Sequence, residues 1–232
     1  MAETSSTVAV ERLFKTGAHF AQAKSRRHPS MKPYLVGTKG RQEIIDLGQT
    51  ATQLAAARTA LATLAREGKT VLFVGGKTEV AGAVIATAER LGAPYVAGRW
   101  LGGTISNWSE IKKRVERLAS LTEERTSGAL AKAHTKLELV LLEREEKRLA
   151  LRLGGVVSLT KRPDALVIVD TRHERHAVKE AKDAHIPIIA IMSSDCDLSV
   201  AAYPVVANDA SRETVKFLLN ELAEAFEEGR RG

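Results

Sequence analysis

Aromatic side chains make up only 4% of this 232-residue chain, and cysteine occurs once, at Cys196. The core must therefore be built from Ala, Val, Ile and Leu. No disulfide can close within one chain, which fits a reducing compartment. No segment approaches the roughly 20 apolar residues that span a bilayer. The polar stretch Met1–Val10 also lacks the apolar run of a secretion signal. The expectation is a soluble cytoplasmic protein with no membrane contact. One further absence is local: no Asp or Glu occurs between Arg12 and Gln42.

That acid-free segment holds eight basic residues, whereas the whole chain has a formal net charge of +7. The remainder is thus close to neutral, and the positive excess sits in one early stretch. A solvated surface would mix both signs, because unpaired like charges repel. A concentrated positive segment points to a polyanion, with nucleic acid the first candidate. Pro29, Pro33 and Gly37 bias the segment away from a basic amphipathic helix and toward an extended course along phosphates. Lys24, Arg26, Arg27, His28, Lys32, Lys39 and Arg41 are the candidate contacts.

The rest of the chain alternates strand and helix patterns. "YLVG" and "EIIDL" read as two short strands around a turn near Thr38–Gly40. Helical spacing follows over Gly48–Ala65, from Val80 to Leu91, from about Glu174 to Ala184, and over Ser211–Glu228. Between these lie short apolar runs, "TVLFVGG", "APYVAG", "PDALVIVD", "IPIIAIM" and "YPVVAND". Such runs suit strands buried on both faces, so the expected fold class is α/β, with a parallel sheet covered by helices. Residues 109–152 break the alternation: they are charged, lack a strand, and carry Ile111, Val115, Leu118 and Thr122 at heptad-like spacing. They read as an antiparallel helical hairpin, turning near Thr126–Gly128, inserted into an α/β domain formed by 13–108 and 153–228. Short tails at 1–12 and 229–232 complete the organisation.

Sites for catalysis are poorly supported. "GGKT" at Gly75–Thr78 resembles the end of a phosphate-binding loop, but the glycine that loop needs is replaced by Val71. "HERH" puts His173 and His176 three residues apart after Asp170, with Asp195 and Cys196 at a later strand end. No paired-Cys or HExxH spacing accompanies them, and a polar helix start is the simpler reading. No GxSxG elbow is present. No catalytic residue, cofactor or metal is assigned.

"AGRWLGGTISNW" holds both tryptophans, Trp100 and Trp108. They anchor the base of the hairpin, or Arg99 and Trp100 offer a guanidinium and a flat face to a sugar-phosphate chain. Asn107 and Trp108 lead into the hairpin, where Lys112, Lys113 and Arg117 extend the basic surface.

Taken together, "GAHFAQAKSRRHPSMKPYLVGTKGRQEIIDL", "VLFVGGK", "RWLGGTISNW", "PDALVIVD", "IPIIAI" and "NDA" resemble, in order and spacing, the bacterial-type ribosomal protein S2 family. The resemblance runs from about Leu13 to Glu228. It implies a Rossmann-like (flavodoxin-like) α/β domain with a coiled-coil hairpin. It also implies a structural constituent of the small ribosomal subunit, whose partners are small-subunit ribosomal RNA, neighbouring proteins and, in many bacteria, ribosomal protein S1. The chain departs from the family at Ala21-Gln22, at Ser193–Leu198 and at Val206–Ala210. Two other readings stay open on the residues alone: an enzyme of phosphorylated metabolites using Gly75-Gly76 as an anion site, and an adaptor that holds a protein by the hairpin.

Overall fold

The structure, a computed structural model, describes residues 10–127 and 135–232. Residues 10–15 are helical. Three strands then form a small antiparallel sheet: β1 (Phe20–Ala23), β2 (Leu35–Lys39) and β3 (Gln42–Ile45), in the order β1-β3-β2. β2 and β3 are the two strands expected from the sequence. β1, "FAQA", has no β-branched residue to announce it and is held by pairing across to Ile44 and Gln42.

The main body follows as α1 (Leu47–Arg66), β4 (Val71–Val74), α2 (Thr78–Leu91), β5 (Tyr95–Val96), α3 (Trp108–Thr126), α4 (Lys136–Leu153), β6 (Ala165–Val169), α5 (Arg175–Asp183), β7 (Ile188–Met192), β8 (Tyr203–Val206) and α6 (Arg212–Arg231). The five later strands pair in parallel in the order β5-β4-β6-β7-β8. This is the α/β fold expected.

Side chains alternate across a strand, and both faces of this sheet are covered. Val71, Phe73, Val167, Ile189 and Val205 face the layer made by α1, α2 and α6. Leu72, Val74, Leu166, Ile168, Ala190 and Val206 face the opposite layer, which includes α5, the base of α3 and α4, Met31 and Ile45. The continuous apolar character of "TVLFV" and "ALVIV" follows from this double burial.

α6 runs to Arg231, beyond the expected boundary at 228. Gly229 explains the extension: a Cβ there would lie 2.2 Å from the Ala62 carbonyl oxygen, so α1 and α6 approach at backbone distance. α3 and α4 contact each other through Arg117–Glu145 and Arg125–Glu146 ion pairs, 3.5 and 2.9 Å long. On α3 the buried positions are Ile111, Val115, Leu118 and Leu121. The last of these takes the place expected of Thr122, which instead donates its hydroxyl to the carboxylate of Glu146. Of the turn expected near Thr126–Gly128, Thr126 is the last residue of α3, Ser127 is a turn residue, and Gly128 lies outside the described residues.

Candidate nucleic-acid interface

The basic segment joins β1 to β2. Its prolines prevent a long helix, and it winds instead through two 3-10 turns, Lys24–Arg26 and Pro29–Tyr34. Met31, fully buried, pins the second turn into the core. Three hydrogen bonds fasten the segment and the adjoining β1 to the loop after β7. The His28 amide donates to the Ser194 carbonyl at 2.8 Å. The Gln22 amide donates to Ser194 Oγ at 3.2 Å, and the Leu198 amide to Ser30 Oγ at 3.2 Å. Arg26, Arg27 and His28 are therefore held beside the loop that follows β7, at the carboxyl end of that strand, while Lys39 ends β2 and Arg41 lies in the turn to β3.

Lys24, Arg26, Lys32, Lys39 and Arg41 are exposed, and no carboxylate among the described residues pairs with them. Arg27 is different. Its guanidinium lies 2.9 Å from Glu43, a carboxylate only 2% exposed, so it serves the fold. His28 bonds Ser30 Oγ through Nδ1 at 2.7 Å and caps the second turn. Arg26, Arg27 and His28 border an open groove of about 560 Å³ whose far wall carries Arg172 and Arg175. Arg172 is paired with Asp195 at 2.9 Å. Arg175 is exposed, and no carboxylate among the described residues pairs with it. Sequence reading missed both arginines. The available signal was their position in "TRHERH", just past a strand end and thus on the ligand-gathering edge of a parallel sheet.

The tryptophan loop is an anchor. Trp100 is 7% exposed, which turns inward the flat face expected to meet a sugar-phosphate chain. Its indole N–H donates to Glu180 at 3.1 Å. The same carboxylate accepts the amides of Gly103, Ile105 and Ser106 at 2.8, 3.0 and 3.1 Å. Burial alone would raise the Glu180 pKa, but these donors outweigh it and hold the carboxyl below its ordinary value. Trp108 is partly buried against the same layer. Arg99 and Asn107 are exposed. The hairpin cations named from sequence are engaged: Lys112 with Glu116 at 3.9 Å, Lys113 with Glu110 at 2.7 Å, and Arg117 with Glu145.

In the parallel sheet the direction of winding reverses between β4 and β6, the place where α/β proteins usually bind ligands. Here that crevice is filled by the chain itself. The Gly76 amide donates to Glu174 at 2.9 Å, and a Cβ on Gly76 would lie 2.5 Å from the Gly98 carbonyl oxygen. Lys77 pairs with Asp170 and reaches Asp209 at 3.6 Å. Burial alone would lower the lysine's pKa, but the two aspartates outweigh it and hold it above its ordinary value. An anion arriving at this turn would meet Glu174 and Asp170 already in place.

Asp170, Cys196 and Asp209 bring three donor atoms within 4.8 Å of one another. Burial pushes the Cys196 thiol up to about 12 and, with Asp170 adding repulsion, the Asp209 carboxyl up to about 7. A protonated thiol is a poor ligand, and the Lys77 ammonium already supplies positive charge to both carboxylates. His173 and His176 stand apart, exposed, with His173 Nδ1 on Glu174 at 2.8 Å.

A basic, groove-bearing face on an α/β frame whose usual ligand crevice is filled agrees with one set of known proteins. The family model described as Ribosomal protein S2 matches residues 13–229. The chain belongs to the ribosomal protein S2 family. Relatives named "Small ribosomal subunit protein uS2" include those of Trichormus variabilis, 39% identical over 97% of this chain and 84% of the relative, and of Rippkaea orientalis, 40% identical over 97% and 84%. The protein of Picosynechococcus sp. is 39% identical over 97% of this chain and 88% of its own length. Membership in the S2 family makes this chain a structural protein of the small ribosomal subunit rather than an enzyme.

Proposed function

We propose that this S2-family protein binds small-subunit ribosomal RNA through the exposed cations of its early segment, Lys24, Arg26, Lys32, Lys39 and Arg41, with Arg175 across the groove. The observation that carries this reading is their lack of ion-pair partners among the described residues, on a segment fastened to the sheet. An unpaired cation held in place loses little side-chain freedom when a phosphate arrives, and it releases counterions from the RNA. Arg99 adds a second exposed guanidinium near the tryptophan loop. Recognition is of backbone and shape, since no base-reading module is evident.

The test is binding of the purified chain to transcribed small-subunit RNA across a salt series. Six phosphate contacts give a slope of log affinity against log salt of about −5 on duplex RNA and about −4 on single strands. Changing all six cations to Gln should make the slope shallower by about 4 to 5 units and remove the chain from small subunits in a lysate. Intact incorporation would overturn the proposal.

Docking of ribosomal protein S1 belongs to the same proposal. The loop Ser193–Leu198 that borders the groove is bonded to the basic segment, so RNA and a protein neighbour would meet one continuous surface.

A further inference from the structure

The hairpin cations expected from sequence are paired, yet a second set on the same two helices is not. Arg114 on α3 and Arg148 and Arg152 on α4 are exposed, and none pairs with a carboxylate among the described residues. All three open onto one groove of about 470 Å³ between the helices.

The groove also contains Glu110 and Glu145, but these are engaged by Lys113 and Arg117. Glu110 feels Arg114 only at longer range. The lining is therefore positive by three, and the surplus resides in the three arginines. Its apolar lining is Leu101, Leu149 and Leu153. Guanidinium rims with an aliphatic floor match a sugar-phosphate strand: arginines meet phosphates in forked hydrogen bonds while ribose lies on the leucines. An acidic peptide would also satisfy the arginines; a sugar-phosphate strand is favoured because it continues the RNA contact proposed for the basic segment, and competition by such a peptide is an outcome of the test.

We infer that this groove between α3 and α4 is a distinct RNA-backbone site, formed by Arg114, Arg148 and Arg152. The inference rests on the proposed RNA binding of the basic segment and adds an independent second grip, on the opposite side of the tryptophan loop in sequence.

The test uses the full chain and transcribed small-subunit RNA. Arg114→Gln/Arg148→Gln/Arg152→Gln should make the salt slope shallower by about 2 to 3 units. A charge-matched control, Lys112→Gln/Lys147→Gln/Lys161→Gln, removes the same charge from paired, exposed positions outside the groove and should change it by less than about 1. The three Arg→Lys replacements should restore most of the slope. Single Gln variants, each about 0.7 to 0.9 units, serve if the triple variant melts early. Equal effects of triple variant and control would overturn the groove site, as would an unchanged slope in the triple variant. So would competition by an acidic peptide that leaves RNA binding to the basic segment intact. Salt-independent binding of the unaltered chain would instead overturn the RNA reading of the basic segment.

Discussion

The carboxylate of Glu180 and the indole N–H of Trp100 are joined across 80 residues of sequence by a 3.1 Å hydrogen bond. Glu180 also gathers the Gly103, Ile105 and Ser106 amides, so one side chain on α5 fixes the loop that launches α3. Glu180→Ala leaves an indole and three amides without their acceptor. It should cost about 2 to 4 kcal/mol in chemical denaturation, whereas Glu180→Gln, which keeps an acceptor oxygen, should cost about half. Losses of the same size for both variants would show that the charge rather than the acceptor geometry matters.

Arg27 and its neighbour Arg26 should separate cleanly. Arg27→Gln strands the buried Glu43 carboxylate and should lower stability by about 2 to 3 kcal/mol, tempered by the partial exposure of the pair. Arg26→Gln should leave stability within about 0.5 kcal/mol and reduce the RNA salt slope by about 0.7 to 0.9. Paired measurements of melting and binding check both, and a stability loss at Arg26 would contradict the assignment of roles.

These two arginines also show where the sequence could be read and where it could not. The doubly buried strands were legible because burial on two faces leaves no polar alternation, and "ALVIV" has no other explanation. The positive segment was legible because charge counts need no coordinates. Arg27 was not, since its partner Glu43 lies just beyond the acid-free stretch and reaches it only through the β1-β3-β2 sheet. Glu180 and Arg175 were missed for the same reason: helix α5 looked like a polar surface helix. Only the fold shows its first turn facing the groove and its second turn, with Glu180, beneath the tryptophan loop.

Gly229 carries a packing prediction that composition hides. A methyl group there would sit 2.2 Å from the Ala62 carbonyl oxygen and 2.8 Å from Ala62 Cα, backbone atoms that cannot turn aside. Gly229→Ala should push α6 away from α1 and cost about 1 to 3 kcal/mol, although alanine is the better helix former. Gly82→Ala, where a Cβ meets nothing within 4 Å, should stabilise by up to about 1 kcal/mol. A stabilised Gly229→Ala would show that the two helices are not held at this distance in solution.

Asp209 contributes to stability with a pH dependence opposite to that of carboxylates such as Asp170 and Glu180, whose pKa is held down. It is 1% exposed, neither of its oxygens has a hydrogen-bond partner among the described residues, and the Lys77 ammonium stays 3.6 Å away. Burial, reinforced by Asp170, raises its pKa to about 7 from an ordinary value of 3.8. The folded state therefore holds this proton more tightly than the unfolded chain does. Between about pH 4 and 7 the unfolded chain has released the proton and the folded one has not, so stability falls as pH rises and levels off above 7. Asp209→Asn removes the ionisation at nearly constant shape. It should match the unaltered protein at pH 4 and exceed it by about 1 to 3 kcal/mol at pH 8, with the difference growing through that window. Urea titrations at four or five pH values read this directly. A variant less stable at pH 8 would mean that Lys77 needs both aspartates, and that the ionised pair rather than the proton holds the crevice closed.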